Sequence, residues 1–180
     1  DLRENIGIKN NYPTLLSIGR LVSAKGFDLL IKAVKDLDVN IVILGDGKEQ
    51  NNLDDLININ NLTQKVFIIG VKDNVNEYIK SSDGVIISSR NEGFSYVFAE
   101  TLCSRKTLIS TNVADIKNFI PSELLIKSLD TNDIKNTIKY FLANRSKLNL
   151  NKYYDIAIKK LSVKNMIEET YQEYKKIVKS

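Results

Sequence analysis

Glu92 and Glu100 stand eight residues apart, the first just before a helical pattern begins and the second about two turns inside it. Carboxylates accept hydrogen bonds from vicinal hydroxyls, so a sugar at Glu92 and a ribose at Glu100 are chemically sensible partners. Between them the chain turns at Gly93, and the amides that follow, at Phe94 and Ser95, open a helix. Such amides lack intrahelical acceptors and, with the helix dipole behind them, suit an anion. Arg20 and Lys25 lie five residues apart across a turn that opens another helix. A planar fork beside a movable point charge suits a diphosphate. Each residue also has a plainer role. Glu100 could sit in a buried salt bridge, Glu92 could be a dipole-stabilising acid, and the two cations could be ordinary surface charges. Taken jointly, the four favour a binding site.

The elements that must position these residues follow from hydrophobic spacing. Apolar, β-branched runs predict strands over Thr14–Ile18, Asn40–Leu44, Lys65–Ile69, Gly84–Ser88 and Lys106–Ser110, with a weaker one at Leu124–Lys127. Helical spacing falls between them, over Gly26–Asp36, Lys48–Asn60, Val75–Ser81 and Ser95–Ser104. Strands that are apolar throughout, alternating with helices, predict an α/β fold: a Rossmann-like, doubly wound parallel sheet covered on both faces. Ligands bind such sheets at the carboxyl ends of the strands, and there the loops carry Arg20, Lys25 and Glu92. From Asp130 the pattern is helical, over Asp130–Asn144, Ser146–Lys160 and Ser162–Lys179, with Asp130 and Ser162 as N-caps. Residues 1–12 read as a leading or linking segment and 13–180 as one domain. Gly45-Asp46-Gly47 reads as a structural turn rather than a phosphate loop, because it has no third glycine. On the Phe94–Cys103 stretch, which reads as apolar nearly all round, Cys103, Tyr96 and Phe98 are assigned to packing.

Composition removes several classes of function. With no histidine, this chain offers no histidine base, no histidine-ligated metal and no Ser-His or Cys-His nucleophile. The excess of 26 Lys and Arg over 22 Asp and Glu is mild and forms no basic stripe, so nucleic acid is not an expected partner. The tail lysines, among them Lys159, Lys160 and Lys175, read as a solvated face, with peripheral contact to an anionic membrane as the other reading. A lone cysteine is consistent with a reducing, cytoplasmic setting.

Three pieces in this order resemble a known family. They are Gly19-Arg20-Leu21 with Lys25-Gly26-Phe27-Asp28; Gly45-Asp46-Gly47; and Glu92-Gly93-Phe94-Ser95 through Glu100, an E-x7-E spacing. The chain resembles the C-terminal, donor-binding domain of a retaining GT-B glycosyltransferase of family 4, the glycosyl transferases group 1. The resemblance implies transfer of a sugar from a nucleotide-diphosphate sugar to a glycan or lipid-linked acceptor, in bacterial surface polysaccharide synthesis. It implies no metal and no cofactor beyond that donor. Arg20 and Lys25 would stabilise the leaving diphosphate, Glu92 would hold the sugar, and backbone amides near Phe94 and Ser95 would contact phosphates or sugar. Glu100 would hold the ribose, Gly70 and Val71 would lie against the base, and Gly19 and Gly93 would belong to the donor-binding set. The missing acceptor domain is expected upstream, and this part alone should turn over little. The final helix would return to that domain. Two departures stand out: Ser95 replaces a frequent glycine, and Thr111-Asn112-Val113-Ala114-Asp115 replaces a common T-D-V-G-G. Competing readings are a nucleotide-sugar 2-epimerase on the same architecture and a non-enzymatic nucleotide-binding module.

Overall fold

Short aliphatic runs that alternate across a pleat build the sheet. The computed structural model describes residue 4, residues 6–93 and 95–161, and positions 165, 167, 168, 170, 171, 174 and 175. Strands β1 (Thr14–Ile18) and β2 (Asn40–Leu44) pair in parallel from Thr14 opposite Asn40 to Ile18 opposite Leu44. Strands β3 (Val66–Ile68), β4 (Gly84–Ile87), β5 (Leu108–Thr111) and β6 (Leu125–Ile126) complete one parallel sheet in the order β3-β2-β1-β4-β5-β6. Leu15, Leu16, Ile41, Val42, Val85 and Ile86 have no exposed surface. Burial of this kind contributes about 1.5–3 kcal/mol per aliphatic side chain, and it is why the strands read as continuous apolar runs.

Among the described residues, six helices cover the sheet: α1 (Phe27–Ala33), α2 (Gln50–Ile59), α3 (Val75–Ser81), α4 (Tyr96–Cys103), α5 (Thr131–Asn144) and α6 (Asn151–Leu161). Helix α1 packs against α2 and α5, while α4 packs against α6, so the layer on each side of the sheet has its own set. The chain winds outward from β1 to β3, then returns to β4 beside β1. That reversal opens a crevice at the carboxyl ends of β1 and β4. Arg20 and Lys25 follow β1, and Glu92 follows β4.

Three expectations are corrected here. Helix α4 is one-sided rather than apolar all round: Phe98, Thr101 and Leu102 are buried, while Tyr96, Glu100 and Cys103 face outward at helical spacing. Cys103 is exposed and Tyr96 is 76% exposed, so neither is a core residue. Phe98 does pack, edge-on to Phe119 with ring centroids 5.1 Å apart. Thr101 holds the core side because its hydroxyl donates to the Val97 carbonyl at 2.6 Å, which hides a polar group inside the helix.

The expected helix Ser146–Lys160 instead starts at Asn151. The Lys147 and Leu148 amides turn back onto the Asn144 carbonyl, and Leu150 drops into the core. Asp130 caps α5 as read, accepting from the Asn132 amide at 3.1 Å. The proposed cap Ser162 and most of Ser162–Lys179 lie outside the described residues. Part of the leading segment is pinned down: Asn10 and Asn40 exchange amide hydrogen bonds of 3.0 and 2.8 Å at the start of β2.

Candidate functional site

Backbone contact, not side chains, sets the floor of the site. A Cβ on Gly45 would stand 2.0 Å from the Gly19 carbonyl oxygen, so only glycine lets these two loops touch. The Leu21 amide donates to Asp46 and the Glu49 amide to Leu21, which closes the contact. Gly45-Asp46-Gly47 thus makes a tight turn packed on Gly19 and Leu21, and Gly45 and Asp46 also line the neighbouring cleft. Beside it lies a cleft of about 190 Å³, walled by Ile18, Leu44, Val71 and Val75, with Arg20 and Lys72 on its rim. Gly70 sits next to it, accepting from the Gly45 amide at 2.9 Å.

Lys25 ends a short 3-10 turn, Ser23–Lys25, and its stem crosses Gly19, which also lines the cleft. Its Nζ donates to Glu92 Oε1 at 2.9 Å. The Glu92 side chain is only 7% exposed, against 26% for Lys25. The Ser89 hydroxyl donates to the same oxygen, and Thr111 holds the Ser89 carbonyl at 2.8 Å. A nearly buried carboxylate needs such partners, because an unpaired buried charge is costly. An ammonium held by one carboxylate oxygen still has donors to offer an arriving anion.

The remaining site residues fall as follows. Gly93 is an exposed bend, and Phe94 lies outside the described residues. Ser95 is buried and caps α4, its hydroxyl accepting from the Phe98 amide at 3.4 Å. Glu100 is exposed on the outward face of α4, which disposes of the buried salt bridge weighed for it. The structure thus brings Lys25 and Glu92 into contact and sets Gly19, Arg20 and Val71 along the adjoining cleft. The cleft itself takes in Arg20 and has none of Lys25, Glu92 and Glu100 in its lining.

One pair escaped the sequence reading. Arg90 meets Asp28 through two parallel hydrogen bonds of 2.8 Å each. Its Nη1 also donates to the Ser23 carbonyl, and its backbone amide donates to Ala24 at 2.8 Å. The Arg90 hydrogen bonds hold the Asp28 carboxyl below the usual carboxylate range, against a smaller opposing push from burial. Asp28 in turn raises Arg90. An acid in the first turn of a helix reads as dipole complement, so nothing local signals a partner 62 residues away.

The family model described as glycosyl transferases group 1 matches residues 1–160. The chain belongs to that family. Among group 1 relatives, an uncharacterized glycosyltransferase of Methanocaldococcus jannaschii is 30% identical over 141 residues, covering 76% of this chain and 40% of its own length. The chain therefore spans less than half of the relative it matches. Anabaena Alr3699/HepE, solved in complex with UDP, superposes with a TM-score of 0.83 at 22% identity, over 96% of this chain and 51% of that one. The C-terminal domain of the group 1 protein LpcC from Francisella tularensis superposes at 0.75 and 19% identity, over 90% of this chain and 92% of that one. At these identities the superpositions establish the fold, the Rossmann-like α/β architecture found in GT-B glycosyltransferases.

Proposed function

We propose that this chain is the donor-binding, C-terminal half of a retaining family 4 glycosyltransferase, and that its site takes a nucleoside-diphosphate sugar. One observation carries the reading: Lys25 meets Glu92 at 2.9 Å where the winding of the sheet reverses, beside an apolar cleft rimmed by Arg20. The cleft suits a flat base against Val71, with the diphosphate running toward Arg20, Lys25 and the first amides of α4. Glu92 then faces the sugar, and the outward Glu100 is free to reach a ribose hydroxyl. Fixed cations and helix amides stabilise charge on the departing diphosphate without reorganising during the step. No metal enters this scheme, and the acceptor, a glycan or a lipid-linked sugar, would be held by a second domain. The length of the M. jannaschii relative and the near-complete overlap with the LpcC C-terminal domain support that division. No helix among the described residues is long and apolar enough to cross a membrane.

Thermal unfolding with UDP, GDP and ADP tests the reading. One nucleotide should raise the midpoint, and the Glu100→Ala variant should lose that gain. A chain indifferent to all three nucleotides would overturn the donor-site assignment.

A further inference from the structure

We propose that Arg90 and Asp28 are positioning residues, clamping the loop that carries Lys25 to the loop that carries Glu92 and so fixing the ammonium against the carboxylate. The inference rests on the donor-site reading above. A lysine head on a four-carbon stem is only as well placed as the backbone beneath it. Here that backbone is gripped on both sides. The Arg90 guanidinium reaches Ser23 and Asp28, its amide donates to Ala24, and the Ser88 hydroxyl donates to the Lys25 carbonyl at 3.0 Å. Gly26, at φ 66°, completes the seam. A Cβ there would lie 2.1 Å from the Ser88 carbonyl oxygen, so the two loops meet with no space between them.

An ordinary surface ion pair contributes little, because two long side chains must be held still in water. This pair differs in three respects. It is bidentate, its side chains are only 31% and 34% exposed, and it joins the first turn of α1 to the loop after β4 rather than two turns of one helix. Neither residue lines the cleft beside Arg20. Asp28 lines a separate small pocket with Ser23 and Glu49, and the effect proposed here on the donor passes through Lys25 and Glu92.

The test uses Asp28→Asn, with Arg90→Lys as the milder variant should the first fail to fold. Two readouts are taken beside the melting midpoint. The first is the acetylation rate of the Lys25 amine by trace acetic anhydride, normalised to the exposed Lys35. The second is the affinity for whichever of UDP, GDP or ADP shifts the wild-type chain. Lys25 labelling should rise several-fold and nucleotide affinity should fall by roughly 10-fold. The charge-exchanged double variant, Asp28→Arg with Arg90→Asp, should recover part of both. Wild-type labelling and wild-type affinity in a folded variant would overturn the proposal, whatever the midpoint does. If the wild-type chain binds none of the nucleotides, the donor reading falls, and the labelling rate alone decides this inference.

Discussion

At the residue scale, Lys25 and Glu92 hold each other at 2.9 Å. On the proposed donor-site reading, a diphosphate would compete with the carboxylate for the ammonium, and a sugar hydroxyl with the ammonium for the carboxylate. Removing either cation should therefore show in turnover rather than in stability. In the complete enzyme, Arg20→Ala or Lys25→Ala should lower donor turnover at least ~10-fold, on the order of 1.4 kcal/mol of transition-state stabilisation. Steady-state rates on the matched donor check this, and unchanged rates would remove both residues from the mechanism. The Asp28 carboxyl supplies a pH signature. Its folded value is depressed by Arg90, so its contribution to stability is present above the ordinary carboxylate range. That contribution is lost as pH falls through the folded value. The melting-point gap between wild type and Asp28→Asn should accordingly be widest near neutrality and narrow as pH falls below the ordinary carboxylate range. A gap that does not change with pH would mean the pair adds no ionic stabilisation.

At the element scale, the strands were legible because the inner strands are buried on both faces, β2, β4 and β5 at every residue. The expected bounds of β1 and β2 match the structure residue for residue. Helix α4 was misread for a physical reason. Its sequence has Thr101 where the core face lies and Tyr96 and Cys103 where solvent lies, so residue type points the wrong way at three positions. The Asp28–Arg90 clamp was illegible because pairing across the sheet leaves no local pattern, while the charged pairs Arg20–Lys25 and Glu92–Glu100 sit close in sequence. The loop after β5 supplies a stability prediction. Ala114 and Asp115 both adopt left-handed backbone, at φ 48° and 57°. For a residue with a Cβ that conformation costs roughly 1–2 kcal/mol, partly offset by glycine's greater freedom when unfolded. Ala114→Gly should thus stabilise the chain by up to about 1 kcal/mol, raising the midpoint by roughly 2–4 °C. A lower midpoint would mean the methyl group makes packing that the backbone strain conceals. The departure from the common T-D-V-G-G therefore leaves the backbone in glycine-like geometry.

At the scale of the whole molecule, the reversal between β1 and β4 decides where chemistry sits, and both halves of the proposed site hang from it. The crevice was foreseeable once the strand order could be guessed, but the outward exposure of Glu100 on α4 was not. Sequence spacing measures distance along one helix and says nothing about which way a side chain faces. Binding and transfer should also come apart. The isolated chain should respond to a nucleoside diphosphate yet transfer no sugar at a measurable rate, because the acceptor would be presented by the other domain. Full turnover by residues 1–180 alone, with donor and acceptor supplied, would show that the division of labour is wrong.

The seam at Gly26 carries a consequence for anyone who would re-engineer this protein. With the Ser88 carbonyl oxygen 2.1 Å from where a Cβ on Gly26 would stand, the segments on either side of the seam have no slack to change independently. A chimaera that borrows the Gly19–Asp28 segment from a cousin should misfold or fall silent unless the Ser88–Glu92 segment travels with it. The two should behave as a single cassette, inherited or exchanged together.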